Sequence, residues 1–223
     1  MFAFVALMSV AFVLGLRHSF EPDHMAAVST IASQTREVKR SLLTGMSWGL
    51  GHGISVCAAG FVLLALRVSV PNDLSAQLNR IVGAMLIFLG CYLCWKIGHP
   101  QPHEREHSDL VHAGLHTNES GSNRRHVHQS LLVGMTHGLL GSGSLIVLAL
   151  AATASFWNGA AYLVVFGIGV IISMGLIAGI LGVPFGVTRH ANRVVVSMQC
   201  LAATASIVIG LSFLLNLGLV PAG

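Results

Sequence analysis

Between Arg125 and Arg189 the chain carries no Asp, Glu, Lys or Arg, and Glu119 is its last acidic residue. A soluble domain does not leave so long a stretch bare, because roughly a quarter of its residues are charged. Here only 9% are charged, while 54% are hydrophobic. The stretch must therefore be solvated by lipid, with its backbone polar groups paired inside helices. A hydrocarbon core asks for about 20 apolar residues per helix. Six runs answer to that: residues 2–17, 41–66, 79–97, 130–153, 159–183 and 194–218. The predicted fold is all-α, a polytopic membrane helix bundle of about six transmembrane helices. Its parts are a first half (1–97), a polar connecting segment (98–129) and a second half (130–223).

Positive charge orients the bundle. Arg36, Lys39 and Arg40 lie between the first two runs. Lys96, Arg105, Arg124 and Arg125 flank or occupy the long connection, and Arg189 and Arg193 precede the last run. The opposite side has only Arg67 and Arg80. With six crossings all the basic segments fall on one side, which is expected to be cytoplasmic. The net charge of +4 thus reads as topology and not as a surface for nucleic acid. The predicted setting is the cell (inner, cytoplasmic) membrane, with residues 98–129 inside the cell. The first run has no basic residues before it and no small-residue cleavage site after it, so it is expected to remain as a span. Cys57, Cys91, Cys94 and Cys200 all lie in apolar runs, where a disulfide framework is not expected.

A repeat links the halves. Ser41-Leu-Leu-Thr-Gly-Met-Ser-Trp-Gly-Leu50 reappears as Ser130-Leu-Leu-Val-Gly-Met-Thr-His-Gly-Leu139, with seven of ten positions identical. Both copies open a span just after a basic segment, so the two helices are predicted to run parallel. Internal repeats are common in transporters, and binding sites tend to lie between them.

Ligand chemistry sits where the lipid should be. His18-Ser-Phe-Glu-Pro-Asp23-His24 follows the first apolar run directly. Ionisable groups at membrane depth are costly and mark functional sites. Two imidazoles and a carboxylate suit a divalent transition metal better than Mg²⁺ or Ca²⁺. On one regular helix His18, Asp23 and His24 point in different directions. Pro22 cannot donate to the His18 carbonyl, so the first helix is predicted to break there and turn His18 back toward the other two. His52, between Gly51 and Gly53, and His137, between Thr136 and Gly138, lie in uncharged spans. In the repeat His137 matches Trp48, one helical turn before His52, so both imidazoles are predicted to face the same seam. A packing role for either stays open.

These motifs resemble those of the nickel/cobalt transporter superfamily. His-x4-Asp-His after Leu-Gly-Leu-Arg17 is similar to that family's signature, and Leu50-Gly51-His52 to its second motif. Gly134-Met-Thr-His137-Gly138 and Gly141-Ser-Gly143-Ser resemble its compact six-span branch, the urease-accessory-like nickel permeases. The resemblance implies a membrane permease, most simply an importer, for Ni²⁺ or Co²⁺, held by His18, Asp23, His24 and His52, with His137 as a further candidate. Larger members carry acidic residues in later spans and this chain has none after Glu119, so the complete ligand set stays open. The ion would be cargo, and no prosthetic group is implied. Efflux of Ni²⁺ or Co²⁺ is one alternative. Another is a non-transporting assembly factor that docks on nickel-enzyme maturation proteins. An enzyme is not expected, since no His-Glu-x-x-His helix is present. Energy would come from a gradient, the membrane potential or a separate subunit, because no phosphate-binding Gly-x-x-x-x-Gly-Lys loop is present.

Residues 98–129 hold His99, His103, His107, His112, His116, His126 and His128. Such a tract can hold divalent metal loosely; a solvated linker fits its composition equally well. A ligating imidazole must be neutral, and free imidazole has a pKa of about 6.5. Transport measured in proteoliposomes is therefore expected to fall as external pH drops below about 6, and a flat profile down to about pH 5 would argue against imidazole ligation.

Overall fold

The computed structural model describes residues 2–34, 37–68, 71–99, 119–141, 155–187 and 192–217, and within them every regular element is helical. The helices are α1 (Phe2–His18), α2 (Pro22–Ala32), α3 (Val38–Leu66), α4 (Asn72–Gly98), α5 (Glu119–Gly141), α6 (Phe156–Val187) and α7 (Asn192–Leu215). Helices α3, α4, α6 and α7 are each long and apolar enough to cross a membrane, and α1 with α2 qualifies as one bent pair. The chain is a polytopic helical membrane protein. The far end of the predicted 130–153 span lies outside the described residues. Helix α5 begins at Glu119, inside the polar segment predicted to connect the halves. Extending an existing helix costs little, since each added residue gains one backbone bond.

The break in the first span falls at the proline. The Phe20 and Glu21 amides bond the carbonyls of Arg17 and His18 at 2.9 and 3.0 Å, closing α1 with tight turns. Glu21 is extended (φ −62°, ψ 143°), as a residue before proline is pushed to be. Pro22 then opens α2, where its missing N–H is no loss. The two pieces meet at 58°.

Glycines let the helices approach where the site is built. Added Cβ atoms on Gly134 and Gly138 would run into the carbonyls of Trp48 and His52, and one on Gly51 into that of Leu131. The Ser130 hydroxyl bonds the Thr44 carbonyl at 2.7 Å. Pairing of 130 with 44, 134 with 48 and 138 with 52 makes α3 and α5 parallel, as the repeat predicts. The matching glycines of the first copy, Gly45 and Gly49, press instead on Met174, Ala178 and Ile171 of α6. Thus α3 is sandwiched between α5 and an antiparallel α6. Helix α1 runs parallel to α6, with Gly15 on Gly169 and Ser19 hydrogen-bonded to Ser173. Helices α4 and α7 are antiparallel, with Gly83 on Gly210 and Gly90 on Ala203. These four relative directions are those that alternate crossing by the six predicted runs requires. Small residues carry such contacts in lipid, where apolar helices gain little from hiding apolar surface. Bulky side chains such as Phe88, Ile180 and Leu201 point outward.

Candidate metal-binding site

Four helices deliver polar side chains to one closed chamber. His18 ends α1, Asp23 and His24 lie in the first turn of α2, His52 stands at the middle of α3, and His137 comes from α5. His24, His52 and His137 have no exposed surface, His18 has 1% and Asp23 has 7%. The ring centres of His18 and His24 lie 4.2 Å apart, those of His24 and His52 5.0 Å, and those of His24 and His137 4.4 Å. All the candidate ligands predicted within the spans are therefore together. The hinge at Pro22 is what permits it.

Two groupings share His24. In one, potential ligand atoms of His18, His24 and His52 lie within 4.8 Å of one another; in the other, those of Asp23, His24 and His137 do. Asp23 is fully engaged. Its Oδ1 accepts from the His24 amide at 2.9 Å and from His24 Nδ1 at 2.8 Å, and its Oδ2 accepts from His137 Nε2 at 2.9 Å. This fixes the His24 tautomer and leaves its Nε2 as a buried lone pair, with no hydrogen-bond partner among the described residues. His18 faces a second carboxylate. Its Nδ1 lies 2.9 Å from Glu21 Oε1, though off the line of a hydrogen bond. Its Nε2 stands 3.2 Å from His52 Nε2.

That last separation suits a shared cation. Two imidazole nitrogens bound to one ion at ~2.1 Å stand about 3.0 Å apart at a right angle and about 3.4 Å apart at the tetrahedral angle. The observed value lies between. A neutral N–H···N bond also fits the distance, with one imidazole donating to the other. With a ring nitrogen of His24 within 4.8 Å of theirs, the three imidazoles make a donor set that suits nickel, cobalt, copper or zinc.

The profile of the NicO family, described as high-affinity nickel-transport protein, matches residues 4–109. The urease accessory protein UreH of Bacillus sp. (strain TB-90) is 30% identical over 216 residues, covering 96% of this chain and 92% of that protein. The chain belongs to the NicO nickel-transport family. A Methanocaldococcus jannaschii protein, MJ1092, named provisionally as a nickel/cobalt efflux system, is 23% identical over 208 residues (90% and 88% of the two chains). The chloroplast protein FOR GROWTH AND FERTILITY 1 of Arabidopsis thaliana is 27% identical over 176 residues, and this NicO chain spans only 48% of it. No solved structure matches.

Two members of the chamber were not singled out from the sequence. Glu21 stands inside the His-x4-Asp-His motif, and its charge beside a proline at membrane depth was the available signal. Trp48 has no exposed surface. Its ring centre lies 5.4, 5.7 and 5.3 Å from those of His24, His52 and His137. Only its place opposite His137 in the repeat marked it. Of the histidines in the polar segment, His99 caps α4 and bonds the Trp95 carbonyl at 3.1 Å, and His128 is exposed on α5. Neither belongs to a metal-ligating group among the described residues. His103, His107, His112 and His116 lie outside the described residues, as does the side chain of His126.

Proposed function

We propose that this NicO chain is a permease for a divalent transition-metal cation, Ni²⁺ or Co²⁺, bound in transit by His18, His24 and His52. The observation that carries this is the three-imidazole face at the broken helix, buried and with one lone pair already free. Asp23, the fourth residue of the sequence motif, acts in this reading from behind. Both its oxygens hold imidazole N–H groups, so it aims His24 at the ion and ties it to His137 of the second half. Carboxylates that hold a ligating histidine in this way raise its basicity and fix its tautomer. Glu21 stands behind His18 in the corresponding place.

Import into the cytoplasm is the direction we favour. A high-affinity family description suits capture from a dilute medium, and the charge bias supports a cytoplasmic face for the basic segments, with residues 98–129. The histidines of that segment would receive or buffer the ion after passage. The relative named as a urease accessory protein supports a second reading, in which the chain binds nickel for delivery to maturation proteins and moves none itself.

Purified protein in liposomes, with a nickel-sensitive dye inside and no other protein present, separates the two. Saturable dye quenching on adding Ni²⁺ is expected. Nickel binding in detergent without flux in liposomes would leave the accessory reading in its place.

A further inference from the structure

We infer that the cation passes between the chamber and the basic end of the bundle along a seam that the indole of Trp48 closes. This rests on the permease reading above and adds the route and its barrier.

Trp48 is the wall of the chamber on that side. One face of the site ends on its ring, against His24, His52 and His137. Beyond it runs a narrow seam between α2, α3, α5 and α6, bordered by Val28, Ile31, Ser41, Gly45, Ser130 and Ala178. The seam leaves no room for a water molecule. It shares Ile31 and Ser130 with a largely apolar cavity of about 390 Å³, in which Gln34, Thr44 and Gln129 sit among Phe88, Leu89 and Leu132. Lys96 donates to Gln34 Oε1 at 3.0 Å, at the end of the bundle that carries the basic segments. The sequence chamber, indole, closed seam, cavity thus leads from the site toward the end of the bundle that carries the basic segments.

Chemistry favours tryptophan as the barrier. Its N–H can only donate, so it cannot compete for the metal as a further histidine would. It has no hydrogen-bond partner among the described residues, so no bond holds the ring in this rotamer. The repeat sets it opposite His137: one copy presents a ligand-type ring and the other a ring that blocks. Past the indole, the oxygens of Thr44, Ser130 and Gln129 offer weak ligands, which suits release better than capture.

The test plugs the cavity after the protein has folded. Gln129→Cys, reconstituted in liposomes, is labelled with a bulky cationic methanethiosulfonate, and wild type treated likewise controls for the native cysteines. Labelling is expected to cut nickel flux by ~10-fold, a barrier increase of about 1.4 kcal/mol. A reductant should restore it, with equilibrium nickel binding unchanged throughout. Trp48→Ala is expected to retain nickel binding while speeding nickel dissociation by ~10-fold, and Trp48→Phe to behave like wild type. Unimpeded flux through the labelled protein, or loss of binding in Trp48→Ala, overturns the route and leaves the permease reading standing. Wild type that binds nickel and moves none overturns both.

Discussion

Cells expressing the His24→Ala variant are expected to show no change in nickel content, whereas wild type shifts it. The cause is local. His24 supplies the one Nε2 held free by a hydrogen bond on its other nitrogen. Its loss leaves His18 and His52 as a two-nitrogen face that can satisfy itself through their mutual contact. Affinity is expected to fall by more than the about 10–100-fold typical of losing an outer-shell partner. Asp23→Asn provides the contrast. An amide keeps one acceptor but sets an NH₂ group against the other imidazole N–H, so one of the two histidines loses its hold. Nickel affinity should then fall within about 10–100-fold, while X-ray absorption of the bound ion still counts the same imidazoles. Were Asp23 itself a ligand, the absorption spectrum would lose an oxygen scatterer and the two variants would fail alike. Elemental analysis also reads direction: accumulation by wild type means import, depletion means efflux.

The parts of the site visible in the sequence are those set by local rules. Pro22 close after His18, Ser19 and Glu21 announces a break, because the ring excludes a helical bond at His18 whatever surrounds it. Once the helix breaks, His18, Asp23 and His24 can converge, and charge in a lipid-facing run demands partners. His52 and His137 were visible through a repeat that set them one turn apart. Which nitrogens would meet was not legible, since that depends on how closely α3 and α5 pack. Nor was the engagement of both Asp23 oxygens, which requires α5 at hydrogen-bond distance from α2. Trp48 illustrates the limit. An aromatic residue in an apolar helix is ordinarily packing, and nothing in its neighbours says that three histidines will lie against one side and a closed seam the other. The start of α5 at Glu119 was hidden for another reason: polar residues extend a helix without leaving an apolar pattern.

Gly134→Val is expected to remove the folded protein from the membrane, or to leave it present and unable to bind nickel. The glycine sits where α5 crosses α3, and a Cβ there would press on the carbonyl, carbonyl carbon and Cα of Trp48, all backbone atoms. Backbone in a helix cannot step aside as a side chain can. The two helices would have to separate along their whole contact, which draws His137 away from Asp23. Overpacking a core costs about 1–3 kcal/mol where side chains can adjust, and here none is available to adjust. Gly53→Ala makes the comparison sharp. Gly53 is next to His52 in sequence, yet a Cβ there meets the Gly167 Cα at 3.6 Å, an ordinary contact. It is expected to express normally, bind nickel as wild type does and melt at or above the wild-type temperature in detergent, since alanine favours the helix by roughly 1 kcal/mol. If the two variants prove equally harmful, close packing of the repeats is not what holds the chamber together. If only Gly134→Val fails, the duplicated Gly-x-x-x-Gly faces have a physical use: the second copy brings His137 within reach of Asp23, and the first seats α3 on α6 so that His52 meets His18.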